Sequence, residues 1–159
     1  MCTNAYYKIS VLRKWGMRMY SALTVARYII KRYASQGKTI SNLKLQKILY
    51  FVQAEFLVAK GRPCFAEDIE AWSFGPVVPE VYHEFKIYGA GGIPTFGRAV
   101  SPGWIADEDQ ELINGIMEEC ARYSASDLVS ITHRQTPWIE AYRQHNNIIS
   151  QRSIYEYFA

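Results

Sequence analysis

Few side chains in this sequence stand where chemistry could be done. Glu80-Val81-Tyr82-His83 sets a carboxylate and an imidazole three residues apart. Carboxylate bundles use that helical spacing twice, with two further glutamates, to hold a pair of metal ions. Here it occurs once, and a surface helix of mixed charge accounts for it. Cys64 could act as a hydrolase-type nucleophile with His83 or His133 as its base, if folding brought them together. No signature surrounds it, and a lone cysteine is more often a packing residue. Cys120 lies on an apolar helical stripe and reads as core. His133 precedes Arg134 at a helix end, where a cation suits the helix dipole. The glycines from Gly89 to Gly92 follow a helix rather than open one. No phosphate-cradling glycine pattern occurs at a strand–helix turn. The chemistry alone implies no enzyme: no catalytic residue, no metal and no cofactor.

What remains is aromatic. Phe, Trp and Tyr make up 14% of the chain, and interfaces favour such rings because one side chain buries a large area and keeps a polar tip. Trp72 and Trp138 are expected to fill core. Phe74, Tyr82, His83, Tyr88, Gly91 and Gly92 are the candidate partner-binding residues.

Composition bounds the rest. At 159 residues the length suits one domain with a sizeable core, and 49% hydrophobic against 21% charged residues is ordinary for a globular chain. No apolar run approaches the roughly 18 residues of a membrane span. Cys2, Cys64 and Cys120 are odd in number and far apart, which argues against a disulfide framework or a Cys-x-x-Cys zinc site and fits a reducing cytoplasm. The net charge is +3. Residues 1–18 contribute Lys8, Arg13, Lys14 and Arg18 and no acid, which leaves 14 basic against 15 acidic side chains in residues 19–159. The basic character belongs to an N-terminal extension, 1–18, expected to lie outside the fold. The 19–159 domain lacks the cationic excess that phosphate binding demands, so nucleic acid is not the expected partner.

Patterning predicts six to seven helices and a short two-stranded β element, a mainly α single domain. Ser21 caps a helix running to about Gln36, with Leu23, Ala26, Ile30 and Tyr33 on one face and Val25 and Ile29 widening it. Ser41 caps the next. Its band of Leu45, Ile48, Leu49, Val52, Phe56 and Ala59 repeats at three and four residues, with Lys44, Lys47 and Lys60 on the flanks. Two helices joined by a short turn also allow a DNA-binding regulator reading, with Ser41–Lys60 as the recognition helix; a helical hairpin that builds core is the simpler one. Ile69 to Phe74 alternates as a strand, Gly75-Pro76 breaks it, and Thr95 to Val100 is its expected partner. Pro79 opens a helix closed by Gly89, and the Gly89–Pro94 run reads as a mobile loop. Asp107 caps a helix bearing Leu112, Ile113, Ile116, Met117 and Cys120. Ser124-x-x-Asp127 is a capping-box variant. Thr136-Pro137 opens a helix carrying Trp138, Ile139 and Tyr142. Ser150 starts the last one, with Ile149 and Ile154 as a staple.

Taken together, Leu43-Lys-Leu-Gln-Lys-Ile-Leu-Tyr-Phe51, Glu70-Ala-Trp-Ser-Phe-Gly-Pro-Val-Val-Pro-Glu-Val-Tyr82, Phe85-Lys-Ile-Tyr-Gly89 and Thr132-His-Arg-Gln-Thr-Pro-Trp-Ile139 resemble the SocA-like, or Panacea, antitoxin domain, a family that includes phage-associated GepA-type proteins. The run from Glu70 to Tyr82 is the specific part, and the resemblance spans roughly Ala22 to Phe158. It marks Leu45, Leu49, Glu70, Trp72, Gly75, Pro76 and Trp138 as motif positions. It implies a helical module that neutralises a cognate toxin by direct binding in a bacterial or prophage toxin–antitoxin pair, with no catalytic residues to carry over. A protease or a second copy of the chain stands open as a further partner.

Overall fold

Helix starts follow the local chemistry of the sequence. The computed structural model describes residues 19–95 and 104–159. In chain order these form α1 (Ala22–Ser35), α2 (Asn42–Ala59), β1 (Ile69–Trp72), β2 (Gly75–Val77), α3 (Pro79–Phe85) with a 3-10 turn (Lys86–Tyr88), α4 (Asp107–Cys120), α5 (Ala125–Thr132), α6 (Thr136–Tyr142), β3 (Ile148–Ile149) and α7 (Gln151–Phe158). The chain is mainly α. Ser21, Ser41, Ser124 and Ser150 are N-caps, and each side-chain oxygen accepts a backbone N–H three residues on. Asp127 completes the capping box by accepting the Ser124 N–H. Pro79 and Pro137 occupy first turns, where a missing N–H costs nothing. Asp107 departs from its expected role: Ala106 is the N-cap of α4 and makes no side-chain bond, and Asp107 is the first helical residue.

The fold is wrapped around α2, which packs against α1, α3, α4, α5, α7 and β2. Leu45, Ile48, Leu49, Val52 and Phe56 are fully buried, as their spacing predicts; Ala59 is exposed instead. The side that reads as polar is buried too. Asn42, Gln46, Lys47, Tyr50 and Gln53 recur at helical spacing and each fastens a distant segment. Asn42 Nδ2 donates to the Tyr82 carbonyl (3.1 Å) and Gln46 Oε1 accepts from Val78 N (2.9 Å). Tyr50 Oη donates to Gln135 Oε1 (2.8 Å). Gln53 Oε1 accepts from Cys64 N and Phe65 N while its Nε2 donates to the Phe65 carbonyl. Lys47 is therefore not a flanking cation. It is fully buried, and its Nζ donates to the Pro76 carbonyl at 2.9 Å. Backbone groups that must be paired when buried find their partners on this helix face rather than in water.

The sheet has three antiparallel strands in the order β2-β1-β3, not two. The partner of β1 is not Thr95–Val100. Thr95 lies outside any strand and 96–100 fall outside the described residues, as does the 1–18 extension. Glu70 faces Val77 and Trp72 faces Gly75 on one side, and Ile69 faces Ile149 on the other. Gly75-Pro76 does not break the strand; the chain reverses at Ser73-Phe74, and Gly75-Pro76 open the returning strand β2. The Gly89–Pro94 run is held at its far end, where Gly92 bridges to Ser41, Ile93 N donates to the Ile40 carbonyl (2.9 Å) and Ile93 is buried.

At the opposite end, Asp109 ties three segments together. Its Oδ2 accepts from Tyr20 Oη (2.6 Å) and Arg62 Nη2 (2.7 Å), and Lys60 stands 3.3 Å from its Oδ1. Burial alone would raise the pKa of this carboxyl, but the bonds from Tyr20 and Arg62 outweigh it and hold the group below the usual range.

Candidate functional site

The β1–β2 hairpin is built to be rigid inside and aromatic outside. Ala71 N donates across to Asn147 O, on the β3 side. In an antiparallel ladder the residue opposite it, Pro76, then turns its own backbone away from β1. Proline suits that position because no N–H is called for, and its carbonyl is left free for Lys47. Gly75 closes the turn with φ +98°, in the left-handed region that favours glycine. A Cβ placed there would lie 2.7 Å from Lys47 Cε and 2.8 Å from Thr132 Oγ1. The hairpin is thus seated directly on the Lys47 side chain, and burial holds that amine well below the usual lysine pKa, at about 7.

Two groups of rings meet at this seat. Trp72 packs edge-to-face on Tyr82 at 4.9 Å, and His83 lies 5.4 Å from Tyr82. His133 lies over Trp138 at 4.1 Å, and Trp138 stacks on Tyr142 at 4.6 Å. The groups are joined where Trp138 Nε1 donates to the Trp72 carbonyl (2.9 Å), and Trp72 Nε1 donates to Glu70 Oε2 (2.7 Å). Each such ring pair contributes roughly 0.5–1.5 kcal/mol beyond its buried area. Trp72 and Trp138 were expected as core; both are only half-buried, and each indole N–H is bonded to a residue of β1. Trp138→Phe keeps the stack and loses one neutral hydrogen bond. A loss of about 1 kcal/mol is expected, read as a lower denaturant midpoint at unchanged slope.

Phe74, at the hairpin tip, is 66% exposed. Tyr82 is half-buried against Trp72 and His83 is exposed beside it. Tyr82 and His83 come together beside Trp72, and Phe74 stands apart at the tip with no ring contact to either. Tyr88, exposed at the end of the 3-10 turn, has no ring contact with them. Gly91 is exposed, and Gly92, pressed against Thr39, serves the turn beside Ser41. Leu45 and Leu49 are core, and Glu70, Trp72, Gly75, Pro76 and Trp138 frame the hairpin. Reasoning from sequence took His133 as a helix-end cation and counted Tyr142 among the abundant aromatics, without naming either as a candidate partner-binding residue. The spacing of Trp138 and Tyr142, one helical turn apart, is the signal that could have found them.

The rival readings meet geometric obstacles. Cys64 is fully buried and its N–H is held by Gln53; burial pushes its thiol pKa far above the usual value, the reverse of what a thiolate nucleophile needs. His83 is paired with Tyr82 and Trp72. Twelve of the eighteen residues of α2 are buried and the strip of Lys44, Phe51 and Glu55 is half-buried, which leaves little of the helix to serve as a groove-reading face. Among the described residues no three His, Cys, Asp or Glu side chains gather in a way that could hold a metal ion, and no helix is long and apolar enough to cross a membrane.

Comparison with known proteins bears on this same region. The family model described as Antitoxin SocA-like, Panacea domain, matches residues 45–139. That span runs from α2 through the hairpin to Trp138. A curated relative, Antitoxin SocA of Caulobacter vibrioides (strain NA1000 / CB15N), is 38% identical over 129 residues, covering 74% of this chain and 68% of the relative. No solved structure matches.

Proposed function

This chain belongs to the Antitoxin SocA-like, Panacea domain family, and from that membership we propose that it neutralises a cognate toxin by binding it directly, with the aromatic hairpin face as the docking surface. The observation that carries the reading is the exposed Phe74, His83 and Tyr142, with half-buried Tyr82, on the side of the fold where two half-buried tryptophans are joined and α2 lies beneath the hairpin. Trp and Tyr clusters of this kind dominate binding energy at protein interfaces, where a few packed rings carry most of the affinity. Neutralisation is by occupancy, without turnover: the face presents rings and backbone, and the thiol that could react is sealed in the core.

The test is co-expression with the product of the neighbouring gene, followed by purification of the pair. A stable complex burying about 1,200–2,000 Å² in total is expected. Phe74→Ala, at a position that supports no packing, should weaken binding about tenfold, or about 1.4 kcal/mol, with the melting temperature unchanged. Protection from toxicity with no complex formed would refute direct binding. Full affinity in a chain carrying Phe74→Ala, His83→Ala and Tyr142→Ala together would move the docking surface elsewhere.

A further inference from the structure

Lys47 is a buried cation site without an anion. Its Nζ meets one acceptor, the Pro76 carbonyl at 2.9 Å. The neighbouring Thr132 hydroxyl gives its proton to Val129 O (2.9 Å) and makes no bond to the amine. The charged groups on the surrounding elements are engaged elsewhere or lie outside. Glu70 of β1 receives Trp72 Nε1, Asp127 of α5 closes its own capping box, and His133 lies on Trp138. Of α3, Glu80 and His83 are exposed and Glu84 faces Arg27 (3.8 Å). On α2 itself, Lys44 donates to the Tyr123 carbonyl and Glu55 is half-exposed. A neutral amine is satisfied by one donated bond in this cage. An ammonium brings a charge and further donors with nowhere to go.

We propose that Lys47 is a proton-operated latch, whose protonation releases the β1–β2 hairpin from α2 and so loosens the aromatic docking face. The hairpin is the wall that yields: β2 is three residues long and joined by short turns, whereas α2 is eighteen residues long and packs against α1, α3, α4, α5, α7 and β2. Its bearing on partner binding rests on the reading given above; the latch itself does not.

The sign follows from the burial-lowered pKa, which lies near 7 in the closed form and at the usual lysine value once water reaches the amine. The open form therefore binds the proton more tightly. Closure strengthens as pH rises above about 7, by about tenfold per pH unit, and is flat below it. Hydrogen exchange on the isolated full chain measures this. With Ala71 N turned to β3, the amides of Glu70 and Val77 are the ones bonded across the hairpin. Their protection factors, corrected for intrinsic exchange, should rise about tenfold per unit from about pH 7 to about pH 9, and stay below those of Ile48 to Val52 throughout. Lys47→Met should remove the slope. Should that variant fail to fold, the wild-type exchange data and a carbon-13 titration of Lys47 Cε decide. A flat wild-type profile, a Cε titration in the ordinary lysine range, or hairpin and α2 amides that exchange together would each overturn the latch. No toxin is present in these measurements, so a latch that works beside a toxin that docks elsewhere is told apart from a failed latch.

Discussion

Gly75→Ala should destabilise the chain by about 3 kcal/mol, although it adds one carbon. Two costs combine. A non-glycine residue held at φ +98° pays on the order of 1–2 kcal/mol in backbone strain. The new Cβ also falls 2.7 Å from Lys47 Cε and 2.8 Å from Thr132 Oγ1, and forced repacking of a filled site typically adds roughly 1–3 kcal/mol. Lys47 Cε belongs to a flexible side chain, but that side chain is fully enclosed and cannot swing clear. In chemical unfolding the midpoint should fall while the slope holds, and the melting temperature should drop by roughly 10 °C. A double-mutant cycle separates the two costs. In a Lys47→Ala background the added penalty of Gly75→Ala should shrink toward the backbone part. Equal penalties in both backgrounds would show that the contact with Lys47 carries no weight.

Gln53→Leu should cost a similar amount, about 3–4 kcal/mol, by a different route. The side chain is buried and satisfies three backbone groups at once, Cys64 N, Phe65 N and Phe65 O. Leucine fills the volume and leaves all three unpaired, at roughly 1–3 kcal/mol each, offset in part by the loss of a buried amide. The loop they belong to also holds the entry to α1, since Tyr20 N donates to Cys64 O (2.9 Å) and Tyr20 bridges to Phe65. Loss of protection should therefore spread from Cys64 and Phe65 to Tyr20 in hydrogen exchange, with the hairpin amides of Glu70 and Val77 little changed from wild type. A variant as stable as wild type would show that this triple bond is dispensable.

These two positions also mark where sequence reasoning reaches and where it stops. The serine caps were legible because a cap is decided within four residues, and the capping box at Ser124 and Asp127 formed as its spacing predicts. The apolar band of α2 was legible for the same reason. Its polar face was not. Asn42, Gln46, Lys47 and Gln53 have the spacing of a solvated stripe, and periodicity cannot tell a face wet by water from one that feeds hydrogen bonds to loops folded over it. The sheet failed similarly. Trp72 and Gly75 pair across a tight turn, but Ile69 finds Ile149 from the far end of the chain, and nothing local announces that match. Of the candidate face, Phe74, Tyr82 and His83 were named from their residue types around a Gly-Pro corner. His133 and Tyr142 come in through their ring contacts with Trp138, which itself reaches the hairpin at the Trp72 carbonyl.

Because the seat beneath the hairpin is secured by Lys47, Gly75 and Pro76, Ser73 and Phe74 at its crest answer to nothing in the interior. A scaffold of that kind can be retargeted. Two residues at the crest can be exchanged, or a longer crest grafted, without renegotiating the core; on the docking reading proposed above, one architecture is then refitted to unrelated quarry by rewriting its outermost loop.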